Sequence, residues 1–201
     1  METLLKTGHE KIMTLFYSDK HAKIHLREIA RKTNLNENSA TRFLKQLEQQ
    51  DILHSEKDGN LKKYSIQKNT NTYSLFSFFD VRRFNELPGI RKRAIQYFTE
   101  KLQEKPIITL LFGSTAKNTF SGKSDIDLLL IVNKNIKTEQ AQTYAEAQTA
   151  IRISCIQIKH SDFTTELKTK QDKVIQSALN TGYPLTNHIK YYEIYYSEPA
   201  Y

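Results

Sequence analysis

Along the first sixty-odd residues, hydrophobic side chains recur every three or four positions, the spacing of an α-helix that buries one face. Three such stripes are formed, by Ile12, Leu15 and Phe16, by Leu26, Ile29 and Ala30, and by Ala40, Phe43, Leu44 and Leu47. Asn36 precedes the third stripe and is predicted to cap that helix. Two short runs then flank Asp58-Gly59-Asn60, which is typical of a hairpin turn. The pattern predicts three helices followed by a β-hairpin.

A more aromatic pattern occupies residues 69–105. The apolar side chains of its first helix are Leu75, Phe76, Phe78, Phe79, Val81 and Phe84. A helix with so many aromatic residues requires cover, either from the chain's own core or from a second copy of the chain in a homodimer. Pro88-Gly89 ends this helix, and GIRKRAIQYFTEKLQEK predicts another. Its Arg91, Lys92 and Arg93 form a basic cluster that is expected at a solvated helix end. The alternative is contact with DNA or with the phosphates of a substrate.

In the remaining sequence, short apolar runs alternate with helical patterns. The runs Ile107 to Phe112, the run ending at Val132, and Ile151 to Ile158 have the length of buried strands and are too short to span a membrane. Helices are predicted over Thr138 to Ala150 and over Asp162 to Asn180. The tyrosine-rich end of the chain is expected to pack on the main body.

Candidate chemistry lies between the first two of these strands. Gly113-Ser114 follows the first strand, and Asp125 and Asp127 begin the second. Alternation places both carboxylates on one face, where their repulsion favours a hard cation such as Mg²⁺. Ser114 to Lys117 predict a first helical turn whose free amides attract phosphate, and Gly113 permits close approach. The pattern favours phosphoryl or nucleotidyl transfer. The alternative is a turn whose aspartates cap a helix or contact water.

This motif, Gly-Ser followed after ten residues by Asp-x-Asp, resembles that of the minimal nucleotidyltransferases of the DNA polymerase β superfamily. That group includes antitoxin-type members that pair with a small helical toxin. The resemblance implies that Gly113, Ser114 and Lys117 contact the nucleotide, and that Asp125 and Asp127 are catalytic and bind metal. Family members usually have Arg-Gly where this chain has Lys117-Asn118, and lysine lacks the two-pronged geometry of arginine. The third acid often found in the next strand is absent, since that strand provides Arg152, Ser154, Cys155 and Gln157.

The N-terminal pattern resembles a winged helix-turn-helix of transcriptional regulators, chiefly through LREIARKTNLNENSATRFLKQLEQQDIL. The resemblance implies that the third helix enters the major groove of double-stranded DNA and that the wing contacts phosphate. The implied DNA-binding residues are Asn38, Ser39, Thr41, Arg42, Lys45, Lys62 and Lys63. Winged helices also serve in protein interaction or dimerisation, and nearby acids dilute the positive face.

Charge and cysteine content refine this picture. Residues 1–68 contain 13 Lys and Arg against 9 Asp and Glu, whereas residues 106–201 contain 10 against 9. A basic front half suits a polyanion-binding module. The single cysteine, Cys155, excludes a disulfide framework and fits a reducing, cytoplasmic setting. No membrane segment is expected, because no apolar run approaches the length of a membrane span.

Together the patterns predict an α+β protein with two modules. Residues 1–68 form a winged helix-turn-helix, residues 69–89 a linker helix, and residues 90–201 a minimal nucleotidyltransferase domain with a small mixed sheet flanked by helices. The expected function is Mg²⁺-dependent transfer of a nucleoside monophosphate from a nucleoside triphosphate to a hydroxyl acceptor. The resemblance to antitoxin-type members suggests an acceptor on a partner protein such as a toxin. The alternative is a non-catalytic DNA-binding regulator or antitoxin that uses the same fold to bind nucleotide or a partner.

Overall fold

The computed structural model of the chain describes residues 7–197. The chain divides into two compact units, Met1–Phe76 and Ser77–Tyr201. The division falls inside helix α4 (Thr70–Glu86), which occupies the aromatic segment. The predicted bounds of the modules, at residues 68 and 89, stay a prediction.

The N-terminal unit has the element order of a winged helix. Its elements are α1 (Thr7–Ser18), β1 (Ile24–His25), α2 (Leu26–Thr33), α3 (Glu37–Gln49), β2 (Leu53–Asp58) and β3 (Leu61–Ile66). The strands form an antiparallel sheet in the order β1-β3-β2. The short strand β1 was not predicted, because a strand of two residues is too short to show an alternation of apolar and polar side chains. The three helices and the hairpin are confirmed.

Helix α3 begins as its sequence predicts. The Asn36 side chain accepts a hydrogen bond from the Ser39 amide at 2.8 Å and so caps the helix. Three residues of the predicted stripe, Ala40, Leu44 and Leu47, are buried. Phe43 is only half-buried and packs edge-on against the His9 ring of α1, with centroids 4.8 Å apart.

The C-terminal unit is built on a four-stranded mixed sheet in the order β6-β5-β4-β7. Its strands are β4 (Ile108–Phe112), β5 (Ile126–Val132), β6 (Ile153–Lys159) and β7 (Tyr183–Pro184). β5 runs antiparallel to β4 and parallel to β6, and β7 pairs antiparallel with β4. The sheet accounts for the uninterrupted apolar runs, because helices cover both of its faces.

Alternation along the strands assigns the two faces. Leu128, Leu130 and Val132 of β5 lie in one core with α5 (Gly89–Lys101) and α7 (Glu139–Thr149). The opposite face carries Leu129 and Ile131, and therefore also Asp127. Helices α8 (His160–Thr169), α9 (Lys173–Thr181) and α10 (His188–Tyr196) contact the strands as well.

The predicted helix over residues 162–180 is wrong, since two helices occupy this segment. Lys170 adopts a left-handed conformation with φ of 52°, and Asp172 caps α9 by accepting from the Val174 and Ile175 amides. The buried Glu166 carboxylate bridges the break, accepting from the Asp172 amide at 3.0 Å and from Gln176 Nε2 at 2.7 Å.

The tyrosine-rich segment forms α10 and packs on the body of its unit, as expected. Asp80 of α4 is fully buried and accepts hydrogen bonds from the Tyr192 hydroxyl at 3.0 Å. His188 Nδ1 lies 3.1 Å from the same carboxylate. These contacts fix α10 against α4. Across residues 7–197, every helix is too short or too polar to cross a bilayer.

Candidate functional site

The turn after β4 carries the first part of the candidate site. Helix α6 (Gly113–Ala116) begins immediately after Phe112, so the amides of its first turn have no partners within the helix. Ser114 is half-buried, and its carbonyl accepts from the Thr119 amide at 3.0 Å. Lys117 is exposed at the end of the helix.

Gly113 is the point where this turn meets the acidic strand. Its φ is +69°, a conformation that favours glycine, and a Cβ here would overlap the Asp127 carboxylate, with Cγ only 3.0 Å away. Phe112 pairs directly with Asp127 across the sheet. The absent side chain therefore allows the Asp127 carboxylate to lie against the start of α6.

The two aspartates form a half-buried acidic pair. Asp127 lies in β5, and Asp125 lies two residues earlier, at the entry to the strand. Burial raises the pKa of the Asp127 carboxyl, and the neighbouring Asp125 charge raises it further. Partly desolvated carboxylates that repel each other are suited to binding a hard cation, since a divalent ion removes both penalties.

The strand beside this pair provides no third acid. In the parallel register Asp127 pairs with Ser154 of β6, so a hydroxyl occupies the position next to the carboxylate. The exposed Arg152 also lies beside the pair, with Nε 3.9 Å from Asp125 Oδ2. Within residues 7–197, no cluster of three or more His, Cys, Asp or Glu residues is arranged to hold a metal.

The acids Glu166 and Glu146 lie on helices α8 and α7 rather than on β6. Glu166 is bound to α9, as described above, and Glu146 lies exposed on α7.

Cys155 is partly buried in the core, and burial raises the pKa of its thiol to about 12. At neutral pH this thiol stays protonated and acts as a packing residue.

Arg91 departs most from its predicted setting. It was expected at a solvated helix end, but only 2% of the residue is exposed. Its guanidinium donates to Thr115 Oγ1, to the Ser121 carbonyl and to the Ser124 carbonyl, and lies over the Phe120 ring. Burial lowers its pKa, partly offset by the Asp125 charge. No sequence signal identifies this residue, because its partners lie 24 to 33 positions away.

The candidate nucleic-acid surface lies on the N-terminal unit. Asn38, Thr41, Arg42 and Lys45 are exposed along one side of α3, while Ser39 is half-buried. The Thr41 hydroxyl donates to the Glu37 carbonyl, and Arg42 extends over the Phe43 ring at 5.1 Å.

The two wing lysines have different surroundings. Lys62 is exposed and forms no ion pair with any residue in the part of the chain that the structure describes, whereas Lys63 Nζ lies 2.6 Å from Asp58 Oδ2. Lys63 lowers the pKa of the Asp58 carboxyl. Acid-base pairs thus occupy part of the wing, and Lys62 is the lysine that remains available.

Comparison with known proteins bears on the C-terminal unit. Residues 92–188 match the family described as polymerase beta, nucleotidyltransferase. The matched segment contains Gly113, Ser114, Asp125 and Asp127, so this part of the chain is similar to nucleotidyltransferase domains. No curated protein matches the chain significantly.

Solved structures of low similarity were also found. The crystal structure of AF1382 from Archaeoglobus fulgidus is 18% identical, covering 42% of this chain and 94% of that one, with a TM-score of 0.37. ZitR from Lactococcus lactis in complex with DNA is 16% identical over 50% and 74% of the two chains, with a TM-score of 0.29. The adhesin competence repressor AdcR from Streptococcus pyogenes is 19% identical, covering 50% of this chain and 72% of that one, with a TM-score of 0.32.

Proposed function

We propose that the C-terminal unit transfers a nucleoside monophosphate from a nucleoside triphosphate to a hydroxyl acceptor in the presence of Mg²⁺. The observation that carries this proposal is the position of the Asp127 carboxylate against Gly113, at the start of α6. An acidic pair and a turn of free amides thereby share one location. The family match over residues 92–188 supports the same reading.

The residues present fit a divalent cation. Asp125 and Asp127 supply oxygen ligands. Burial, and after it the neighbouring Asp125 charge, raises the pKa of the Asp127 carboxyl, and a bound cation would offset both effects. Mg²⁺ would supply Lewis-acid polarisation of the phosphoryl group undergoing transfer. Asp125 and Asp127 would hold it.

The chain's own residues would bind and orient the triphosphate. The amides at the start of α6 and the Ser114 hydroxyl donate to phosphate oxygens, and the exposed Lys117 adds one positive charge. The hydroxyl attacks phosphorus while pyrophosphate leaves, and the attacking hydroxyl must lose its proton. Because Ser154 stands beside Asp127, no side-chain carboxylate of β6 takes this proton, and slow transfer is expected.

A transfer assay tests the proposal. Nucleoside triphosphates labelled at the α-phosphate are incubated with the protein, Mg²⁺ and a mixture of protein and RNA acceptors. Labelled acceptor is expected with the wild type and at least about a hundredfold less with Asp125→Asn/Asp127→Asn. Label at the γ-phosphate should not be transferred. Glu139→Gln/Glu146→Gln, which removes two exposed carboxylates of α7, is the matched control. Transfer unchanged in the aspartate double variant would refute the enzyme assignment.

The acceptor follows from resemblance alone. Antitoxin-type nucleotidyltransferases pair with a small helical toxin, so a hydroxyl on such a partner protein is the proposed acceptor. The gene beside this one should then encode a small helical protein. Its purified product should become labelled in the same assay.

A non-catalytic regulator is the second candidate. Ser154 at the position beside Asp127 favours it, because a site with two carboxylates can bind nucleotide and metal without rapid chemistry. Ser154→Asp separates the two functions. If the protein is a slow enzyme, this added carboxylate should raise the rate of nucleotidyl transfer severalfold. In a nucleotide sensor, Mg²⁺-dependent binding should occur without transfer in either protein.

The N-terminal unit is proposed to bind double-stranded DNA. Its winged-helix topology presents Arg42 and Lys45 on an exposed face of α3, and Lys62 projects from the wing. Titration of a duplex pool at several salt concentrations should give an affinity that falls with salt. Arg42→Ala should weaken it, whereas Lys11→Ala, which removes an exposed charge from α1, should not. No binding at low salt would refute this role.

A further inference from the structure

One buried cation connects the two halves of the candidate site. The guanidinium of Arg91 in α5 donates through Nη1 to Thr115 Oγ1 at 2.8 Å, and through Nη2 to the Ser121 and Ser124 carbonyls at 3.0 and 2.8 Å. The ring of Phe120 lies 4.0 Å from its Cζ. The guanidinium is therefore hydrogen-bonded along its edge and packed against an aromatic ring on one face.

These partners belong to the two segments that carry the site. Thr115 lies in α6, directly after Ser114, and Ser124 directly precedes Asp125. The Thr115 hydroxyl also lies 3.4 Å from the Asp125 carbonyl, as a donor. Arg91 and Thr115 therefore fix the distance between the phosphate-facing turn and the first aspartate.

The geometry requires a guanidinium. Its planar fork presents several donors at fixed angles and stacks on an aromatic ring, whereas a lysine ammonium is a compact charge that cannot do both. Burying such a cation is costly unless its hydrogen bonds are made. The contacts with three polar partners and one ring satisfy that condition.

We propose that Arg91 is a positioning residue of the nucleotidyl transfer site, which holds α6 and the segment 120–125 at the separation needed for one metal–triphosphate. This inference rests on the proposed function. Arg91 itself does not contact the nucleotide; it acts through Thr115 and through the backbone that leads into Asp125.

The test compares Arg91→Ala and Arg91→Lys with Arg93→Ala, an exposed arginine two positions along α5. Binding of ATP, GTP, CTP and UTP with Mg²⁺ is measured by calorimetry, and amide hydrogen exchange is measured over residues 113–125. Arg91→Ala should weaken binding at least about tenfold and accelerate exchange in this segment. Arg91→Lys should bind nucleotide more tightly than Arg91→Ala and more weakly than the wild type. Arg93→Ala should change neither quantity.

Millimolar methylguanidinium provides a second measurement. It should recover affinity and exchange protection in Arg91→Ala and leave the wild type unchanged. If Arg91→Ala does not fold, Phe120→Ala, which removes only the ring contact, should weaken binding and accelerate exchange in the same direction as Arg91→Lys.

The outcomes separate the two proposals. Two results would overturn the role of Arg91 and leave the proposed function standing. The first is a folded Arg91→Ala variant whose nucleotide affinity is within twofold of the wild-type value. The second is a loss of affinity in this variant while amide hydrogen exchange over residues 113–125 is unchanged. A wild-type protein that binds none of the four nucleotides would refute the proposed function, and the positioning role with it.

Discussion

At the scale of single residues, Gly113 and Asp127 depend on each other. The positive φ of Gly113 and the missing Cβ admit the carboxylate, and the carboxylate then lies in a setting that disfavours its charge. Gly113 is the residue that this backbone conformation favours, whereas the partly buried Asp127 carboxylate opposes stability because the fold disfavours its charge.

This setting gives a stability prediction for Asp127. Because its pKa is raised in the fold, the folded state binds the proton more tightly than the unfolded chain. Stability from this group is therefore present at low pH and is lost as pH rises through the folded pKa. Asp127→Asn, measured without divalent ions, should melt about 1–3 °C higher than the wild type at pH 7, with a smaller difference near pH 4.

Thermal unfolding followed by circular dichroism measures this difference. Glu146→Gln, an exposed acid on α7, should show no comparable gain. Adding Mg²⁺ should stabilise the wild type and not Asp127→Asn. A variant that melts lower than the wild type at pH 7, or a difference that grows as pH falls, would contradict the assigned environment.

At the scale of elements, local signals predicted those features whose cause is local. Asn36 caps α3, Gly59 with φ of 59° turns the hairpin, and the runs around the motif are strands. The break between α8 and α9 was missed because Asp172 was read as a helix residue when it caps a new helix. Strand β1 was missed because its pairing with Tyr64 and Lys63 is set by tertiary contact.

The hairpin gives a second prediction, on DNA binding. Lys62→Ala should weaken duplex affinity and reduce the slope of log affinity against log salt by about 1, because one phosphate contact is lost. Lys63→Ala should have a smaller effect, since its ammonium is paired with Asp58. Fluorescence anisotropy at four salt concentrations would measure both slopes. Equal effects of the two substitutions would contradict the distinct roles assigned to them.

At the scale of the whole molecule, the sequence located the candidate site but not the contacts that hold it in place. Asp125 and Asp127 are predicted from the two-residue period of a strand, and Ser114 from its place after the preceding strand and from the resemblance. Their roles stay predictions. Arg91 was misread as solvated because a run of three basic residues shows no partner. The division at Phe76, inside α4, likewise depends on contacts that no local pattern records.

Binding of a metal–nucleotide complex tests the central claim most directly, because the claim is that Asp125 and Asp127 bind Mg²⁺ together with a triphosphate held at Ser114. Calorimetric titration of the full chain with each nucleoside triphosphate, with and without Mg²⁺, should give binding of at least one nucleotide that depends on the metal. Asp125→Asn/Asp127→Asn should abolish the metal-dependent part while the protein stays folded. Affinity that is indifferent to Mg²⁺, or that survives the double substitution, would contradict the account.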